Sequence, residues 1–278
     1  EDIGFTLPVP VERTIEAHIA ALGTAAPGAL VLVLLRDMTA IARVERMRAD
    51  FVANASHELR TPLTSLAGFI ETIRGPARDD PEAQARFLEI MQTQADRMRR
   101  LIDDLLSLSR IELNEHVLPL GTADLAAIAR DVVDAVQPQI ARAGIRVPIE
   151  VEGTVPPVAG ERDELIQVVQ NLLDNAIKYG GDGGDVTIRL TSGQDPSGPV
   201  VRLAVADKGP GIAREHLPRL TERFYRVDAK ASRERGGTGL GLAIVKHILN
   251  RHRGRLEIES EPGQGSRFTI VLRARATS

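Results

Sequence analysis

The 278-residue chain contains no cysteine and no tryptophan, and only two tyrosines and six phenylalanines. Without cysteine there are no disulfides, no thiolate catalysis, and no Cys-ligated zinc or iron–sulfur centre. Long apolar runs are also missing. The longest, Ala29 to Leu35, is seven residues, far short of the roughly 20 that span a bilayer as a helix. Glu1 and Asp2 stand where a secretory leader would carry positive charge. A basic excess is absent as well: 35 Lys and Arg face 38 Asp and Glu, a formal charge of −3. That balance disfavours a surface built to neutralise nucleic-acid phosphates, so no direct nucleic-acid partner is expected. What remains is a 43 % hydrophobic, 26 % charged chain of mixed sign, which should fold as a soluble, cytoplasmic protein or portion of one. Its length suggests about two domains.

Three regimes follow one another. Residues 1–38 are punctuated by proline, with a weak helical segment around Glu12 to Leu22 and a β-like run, Leu30 to Leu35, after Pro27-Gly28. This is too little for an independent core. From Thr39 to Leu113 almost nothing breaks a helix except Pro62 and the pair Gly75-Pro76, which predicts two long helices joined by a short turn. Beyond Pro119 the pattern alternates: a helix near Ala123 to Ala141, a strand near Ile145 to Val151, a helix near Glu161 to Tyr179, and β-like runs 186–190 and 200–205. A helix near Leu240 to Arg251 and a closing strand pair, 256–258 and 268–272, complete an α/β layer with a mixed sheet.

Apolar residues of the helical pair step by three and four: Val52, Ala55, Leu59, Leu63, Leu66, Ile70 and Ile73, then Phe87, Met91, Gln94, Met98, Leu101, Leu105 and Leu108. Such steps mark a bundle seam. Two helices expose more stripe than one hairpin covers, so the expected assembly is a homodimer whose hairpins form a four-helix bundle. His57 lies two residues before seam residue Leu59. At about 100° per residue it points away from the seam, where a group that must be reached by partners would stand. Glu58 is its neighbour, Thr61 shares its face, and Pro62 predicts a bend within a turn. Taken alone, the same residues also describe a solvated helix face.

The segment Phe51-Val-Ala-Asn-Ala-Ser-His57-Glu-Leu-Arg-Thr-Pro-Leu63 resembles the H-box of the sensor histidine kinases of two-component systems. The resemblance implies that His57 accepts a phosphoryl group on a ring nitrogen and that Glu58 handles its proton. Thr61 would help position the water that dephosphorylates the partner protein.

The second half holds elements suited to a phosphate source. Asn171, Asn175 and Lys178 lie on one face of a helix, where carboxamide oxygens suit Mg²⁺ and lysine suits phosphate. Asp207-Lys-Gly209-Pro-Gly211 follows a strand, and Gly236-Gly237-Thr-Gly239-Leu-Gly241 opens a helix, a place for phosphates. Each alone is also a surface helix, a β-turn or a chance glycine cluster. In order, Asn171 to Tyr179, Asp207 to Gly211, Phe224-Tyr-Arg226 and Gly237 to Gly241 resemble the N, G1, F and G2 boxes of the histidine kinase catalytic domain.

That resemblance implies a Bergerat-type (GHKL) α/β sandwich that binds ATP and Mg²⁺. Asn175 would be the metal ligand, with Asn171 and Lys178 at phosphate or metal and Tyr179 by the base or sugar. Asp207 would accept from the adenine amino group in a pocket shaped by Gly209 and Gly211. Residues between Phe224 and Gly237, with Arg226, Lys230, Arg233 and Arg235, would form an ATP lid hinged at Gly236 and Gly237; Gly239 and Gly241 complete the glycine loop. Thr221 stands where the family often has a second aromatic, and Ser266 replaces a threonine in the closing motif Gly265-Ser-Arg-Phe268.

Leu30 to Thr39 is similar to the last strand and Asp-x-Thr exit of PAS sensory domains. The expected organisation is a PAS-like remnant at 1–38, a dimerisation and phosphotransfer hairpin at 39–116 and a catalytic domain at 117–278. The parent protein would be anchored in the membrane by segments outside this sequence. Residues 114–121 would let the domains move as rigid bodies. The expected activity is autophosphorylation of His57 from Mg²⁺-ATP, followed by transfer to an aspartate of a response regulator receiver domain, with dephosphorylation of that domain as a second activity. Two rivals are a phosphatase-dominant regulator and a dimeric ATP-binding scaffold without turnover.

Overall fold

The structure is a computed structural model that describes residues 2–7, 12–22, 30–180, 184–196, 198–228, 231–232 and 235–275. It divides into two compact units, Glu1–Thr72 and Ile73–Ser278.

In the first unit, strands β1 (Asp2–Leu7), β2 (Arg13–Leu22) and β3 (Leu30–Asp37) form an antiparallel sheet in the order β1-β2-β3. The helical segment expected around Glu12 to Leu22 is therefore a strand. Its alanines are good helix formers, but propensity is a weak force beside pairing on both flanks: Ala17 is paired in register with Ile3 and with Leu35, and is buried at the centre. Helix α1 (Thr39–Arg74) leaves the sheet directly. The junction is tied by the Thr39 amide donating to Asp37 Oδ1 at 2.9 Å, the Thr14 amide to Thr39 Oγ1 at 3.0 Å and the Met38 amide to the Thr14 carbonyl at 2.8 Å. Pro62 lies inside α1, which continues through it.

The second unit begins with the turn at Gly75-Pro76 and helix α2 (Pro81–Asn114). Asp80 caps α2 by accepting from the Ala83 amide at 2.9 Å, and Pro81 occupies the first turn, where its missing donor is not needed. The expected helix from Ala123 to Ala141 is two helices, α3 (Leu125–Ala135) and α4 (Gln137–Ala143). Val136 leaves helical geometry at φ −100° and ψ 10°, and Pro138, which has no amide for the carbonyl of Asp134, sits in the first turn of the new helix, where no donor is needed. Asp124 caps α3 on the amides of Ala126 and Ala127, and Gly144 closes α4 at φ 65°.

The layer that follows comprises β4 (Thr122–Ala123), β5 (Ile149–Glu152), β6 (Val158–Ala159), α5 (Arg162–Tyr179), β7 (Thr187–Asp195), β8 (Gly198–Asp207), α6 (Gly241–Arg251), β9 (Arg255–Glu261) and β10 (Gly265–Arg273). The main sheet runs β5-β7-β8-β10-β9, with β5 parallel to β7 and the other pairs antiparallel; β4 and β6 form a separate pair. The period of two puts Ile188 and Leu190, then Val201, Leu203 and Val205, then Phe268, Ile270 and Leu272 on one buried face in register. Against it lie Leu125, Ile128 and Val132 of α3, Val168, Val169, Leu172 and Leu173 of α5, and Ile244, Val245 and Ile248 of α6. This is a helix-on-sheet α/β sandwich. Among the described residues no helix is long and apolar enough to cross a membrane.

His252, just past α6, is buried with both ring nitrogens engaged. Nδ1 donates to the Ile248 carbonyl at 2.8 Å, and Nε2 accepts from the Glu161 amide at 3.0 Å. The arrangement needs a neutral ring, since a proton on Nε2 would face the Glu161 N–H. Burial lowers its pKa below the ordinary 6.5, against the opposing pull of the Ile248 bond and Glu164. The unfolded chain therefore takes up this proton first, and stability is lost as pH falls below about 6.5. The unfolding midpoint should drop more steeply from pH 7.5 to 5.5 in the native protein than in His252→Gln; parallel profiles would show that His252 is not the titrating group.

Candidate functional site

In the first unit, His57 stands exposed on α1, while Ala55, Leu59 and Leu66 of the expected seam are half-buried. Thr61 donates its hydroxyl to the His57 carbonyl at 3.2 Å, so the two residues share one helix face as their spacing requires. Glu58 is half-buried beside them. An exposed imidazole is open to a reactant from solvent, and its neighbours are a carboxylate and a hydroxyl.

In the second unit, a cavity of about 550 Å³ opens between α5, the end of β8 and the loop before α6. Asn171, Asn175, Lys178 and Tyr179 line it from α5, Asp207 and Gly211 from the β8 end, and Arg226, Gly237, Gly239 and Gly241 from the loop. Apolar rows of α5 pack on the sheet, and the residues between them, one turn apart, face the opening.

Asp207 ends β8 with Oδ1 accepting from the amides of Gly209 at 2.9 Å and Ser266 at 3.2 Å. These bonds hold the carboxyl in one orientation; burial raises its pKa while the two amides lower it. No bond to Oδ2 is found among the described residues, which leaves an acceptor for a donor in the cavity. Gly209 is not on the cavity wall. It lies beneath, where a Cβ would come within 2.4 Å of the Tyr179 carbonyl and 2.9 Å of Asp207 Oδ1. Gly211 adopts φ 70°, and a Cβ there would meet the Glu261 carbonyl oxygen at 1.9 Å.

The glycine loop is built against its neighbours. A Cβ on Gly237 would sit 2.6 Å from the Tyr179 hydroxyl and 2.5 Å from Ser232 Oγ, which are themselves bonded at 2.8 Å. A Cβ on Gly241 would lie 2.9 Å from Asn171 Oδ1. Arg226 Nη2 donates to the carbonyls of Gly237 at 3.1 Å and Thr238 at 2.8 Å, so it braces the loop from inside the cavity. Phe224 does not line the cavity. It takes φ 63° and donates its amide to the Gly239 carbonyl at 2.8 Å, with Gly239 at φ 75° packed on its backbone. The next residue, Tyr225, reaches the wall and is fixed by a 2.7 Å bond to His216 Nδ1 and by the Arg219 guanidinium, 4.3 Å from its ring centroid. Of the expected lid cations, Arg235 donates to the Lys178 carbonyl at 2.9 Å, while Lys230 and Arg233 lie outside the described residues.

The residues suit a nucleotide with a hard cation. One end offers the Asp207 carboxylate; the other offers two carboxamides, a lysine and backbone held open by glycines, a set fitted to phosphate oxygens and Mg²⁺. Sequence reasoning passed over Arg100, Asp104, Ser232 and Thr238, which also line the cavity. Arg100 and Asp104 belong to α2, and nothing in the bundle period of that helix distinguishes them from other surface charges.

Residues 47–114 match the family described as His Kinase A (phospho-acceptor) domain, and residues 160–276 match the Histidine kinase-, DNA gyrase B-, and HSP90-like ATPase family. The phosphate regulon sensor protein PhoR of Pseudomonas aeruginosa is 40 % identical over 269 residues, 97 % of this chain and 59 % of PhoR, so the chain spans about three fifths of that relative. Among solved structures, the Acinetobacter baumannii histidine kinase AdeS is 28 % identical with a TM-score of 0.62, covering 79 % of this chain and 98 % of AdeS. ShkA, solved with AMPPNP, is 26 % identical with a TM-score of 0.59, covering 83 % of this chain and 47 % of ShkA.

Proposed function

The chain belongs to the sensor histidine kinases of two-component systems, and from that premise we propose that it phosphorylates its own His57 from Mg²⁺-ATP. The observation that carries this reading is the combination of an exposed His57 flanked by Glu58 and Thr61 with a cavity that joins Asn171, Asn175, Lys178 and Asp207. The complex of ShkA with AMPPNP supports an adenine nucleotide here.

Bound ATP supplies the γ-phosphoryl group and its activation. Asp207 accepts from the adenine amino group and sets the position of the base. Asn175 would hold Mg²⁺, Lys178 would neutralise phosphate charge and Asn171 would orient the phosphate end, so catalysis is mainly positioning and charge stabilisation. His57 presents a ring nitrogen to phosphorus. The P–N bond forms as the bond to the β-phosphate oxygen breaks, and Glu58 orients or accepts the proton on the other ring nitrogen. Phosphohistidine then passes its group to an aspartate of a receiver domain, and Thr61 positions a water that hydrolyses the resulting acyl phosphate to inorganic phosphate, the opposing activity.

Dimerisation is part of the same reading. Val52, Leu63 and Ile70 are exposed on α1 in the first unit, and Ile102, Leu106 and Leu113 are exposed on α2 in the second; each set is an apolar stripe of the kind that a second copy would cover in a four-helix bundle. The division at 38 and 116 also belongs to it. All of Val31 to Leu35 in β3 is exposed, as a fragment of a larger sensory domain would leave it.

The partner reading is tested with the chain labelled from [γ-³²P]ATP, freed of nucleotide and mixed with purified receiver domains. Label should leave the chain and appear on at least one receiver, and not on the variant whose acceptor aspartate is changed to asparagine. Label that stays on the chain across a full panel from the source organism would overturn phosphotransfer.

A further inference from the structure

Two residues of the cavity wall, Arg100 and Asp104, come from the phosphotransfer helix α2. The C-terminal half of α2 is fastened to the α/β layer along its length. Leu101, Leu108 and Ile111 are buried, and Ser107 exchanges hydrogen bonds of 2.8 and 2.9 Å with Gln167 of α5. Glu112 pairs with Arg223, and Glu115 accepts from His247 at 3.0 Å and Asn250 at 2.9 Å of α6. Asp104 is thus held in place by contacts on either side of it.

Its carboxylate Oδ2 accepts from Thr238 Oγ1 at 2.7 Å, the one side chain between Gly237 and Gly239. The cations acting on it are Lys178 and Arg100, and Asp103 is the opposing anion. The Arg100 guanidinium lies against Gly236, 2.9 Å from where a Cβ would stand. A half-buried carboxylate therefore sits on the glycine loop in the field of the same lysine that the phosphate end of the cavity offers. A nucleotide polyphosphate needs that lysine and that loop, and it carries the same sign of charge as Asp104.

We propose that Asp104 is an intramolecular competitor for the phosphate subsite: it occupies Thr238 and the field of Lys178, and a bound polyphosphate displaces it. Displacement removes one of the polar ties between α2 and the α/β layer, so nucleotide binding and the seating of α2 oppose each other with equal and reciprocal strength. The inference rests on the nucleotide reading of the cavity. It differs from a role for Asp104 as a metal ligand, which requires the opposite sign of effect.

The test is calorimetric titration of the full chain with Mg²⁺-ATP and, separately, with adenosine. Asp104→Asn and Asp104→Ala should each bind Mg²⁺-ATP about five- to tenfold more tightly, the scale of one screened like-charge contact, with adenosine affinity changed less than about twofold. Mg²⁺-ATP affinity that is unchanged or weaker in both variants would overturn the proposal. Equal tightening for ATP and adenosine would also overturn it, because it would report a reshaped pocket and not a removed charge. If the native protein bound neither ligand, the nucleotide reading itself would fail and take the proposal with it.

Discussion

Alanine at position 175 is expected to lower phosphorylation of His57 from Mg²⁺-ATP by at least about 100-fold, the scale for removing one preorganised charge-stabilising group. Asn175 lies on the wall of the cavity in the line Asn171, Asn175, Lys178, where α5 turns its polar face to the opening. Alanine keeps the helix, whose propensity it improves, and deletes only the carboxamide. The Asp207 end is built by other elements, its carboxyl oriented by the amides of Gly209 and Ser266. Adenosine affinity should accordingly stay within about twofold, since distant sites act independently. Raising Mg²⁺ should recover part of the lost rate. An unchanged rate would remove Asn175 from the phosphate end, and loss of adenosine binding in parallel would mean that the pocket had collapsed.

The elements that make this prediction possible were legible in the sequence to unequal degrees. The long helices declared themselves through steps of three and four, and through Gly75-Pro76 as the break; Asp80 and Pro81 mark the start of α2 in the usual chemistry of helix termini. The wall of α5 followed from spacing alone, because residues three and four apart must share a face. Strand β2 was not legible. Its Ala, Glu and His residues have no strand preference, and what makes it a strand is pairing with β1 on one flank and β3 on the other. The break between α3 and α4 is marked in the sequence by Pro138 alone, within an otherwise helical pattern. Phe224 and Arg226 show a further limit: a motif names residues without saying which touch a ligand and which hold the loop, and here both are bonded to loop carbonyls. Asp104 and Arg100 could not have been found, since they reach the cavity only through the seating of α2, which no local pattern encodes.

The second large effect falls on His57. Glutamine preserves the size and polarity of the side chain, suits a helix, and has no nucleophilic ring nitrogen. His57 is exposed on α1, and its own carbonyl is bonded by Thr61 through main-chain geometry that the substitution does not disturb. The substitution should therefore leave stability and nucleotide affinity as they are and remove only the acceptor. Autophosphorylation is expected to fall by at least about 10³-fold, as for loss of a nucleophile. Glu58→Gln should retain measurable phosphorylation at a lower rate, because it keeps the acceptor and weakens only the handling of its proton.

One histidine on α1 is proposed to receive the phosphoryl group from a nucleotide bound between α5, β8 and α6. This transfer is tested by incubating the native chain and His57→Gln with [γ-³²P]Mg²⁺-ATP, measuring protein-bound label alongside ATP affinity. Acid-labile, alkali-stable label is expected on the native chain and none on His57→Gln, with ATP bound equally by both. Label of similar amount and lability on His57→Gln would contradict transfer to His57.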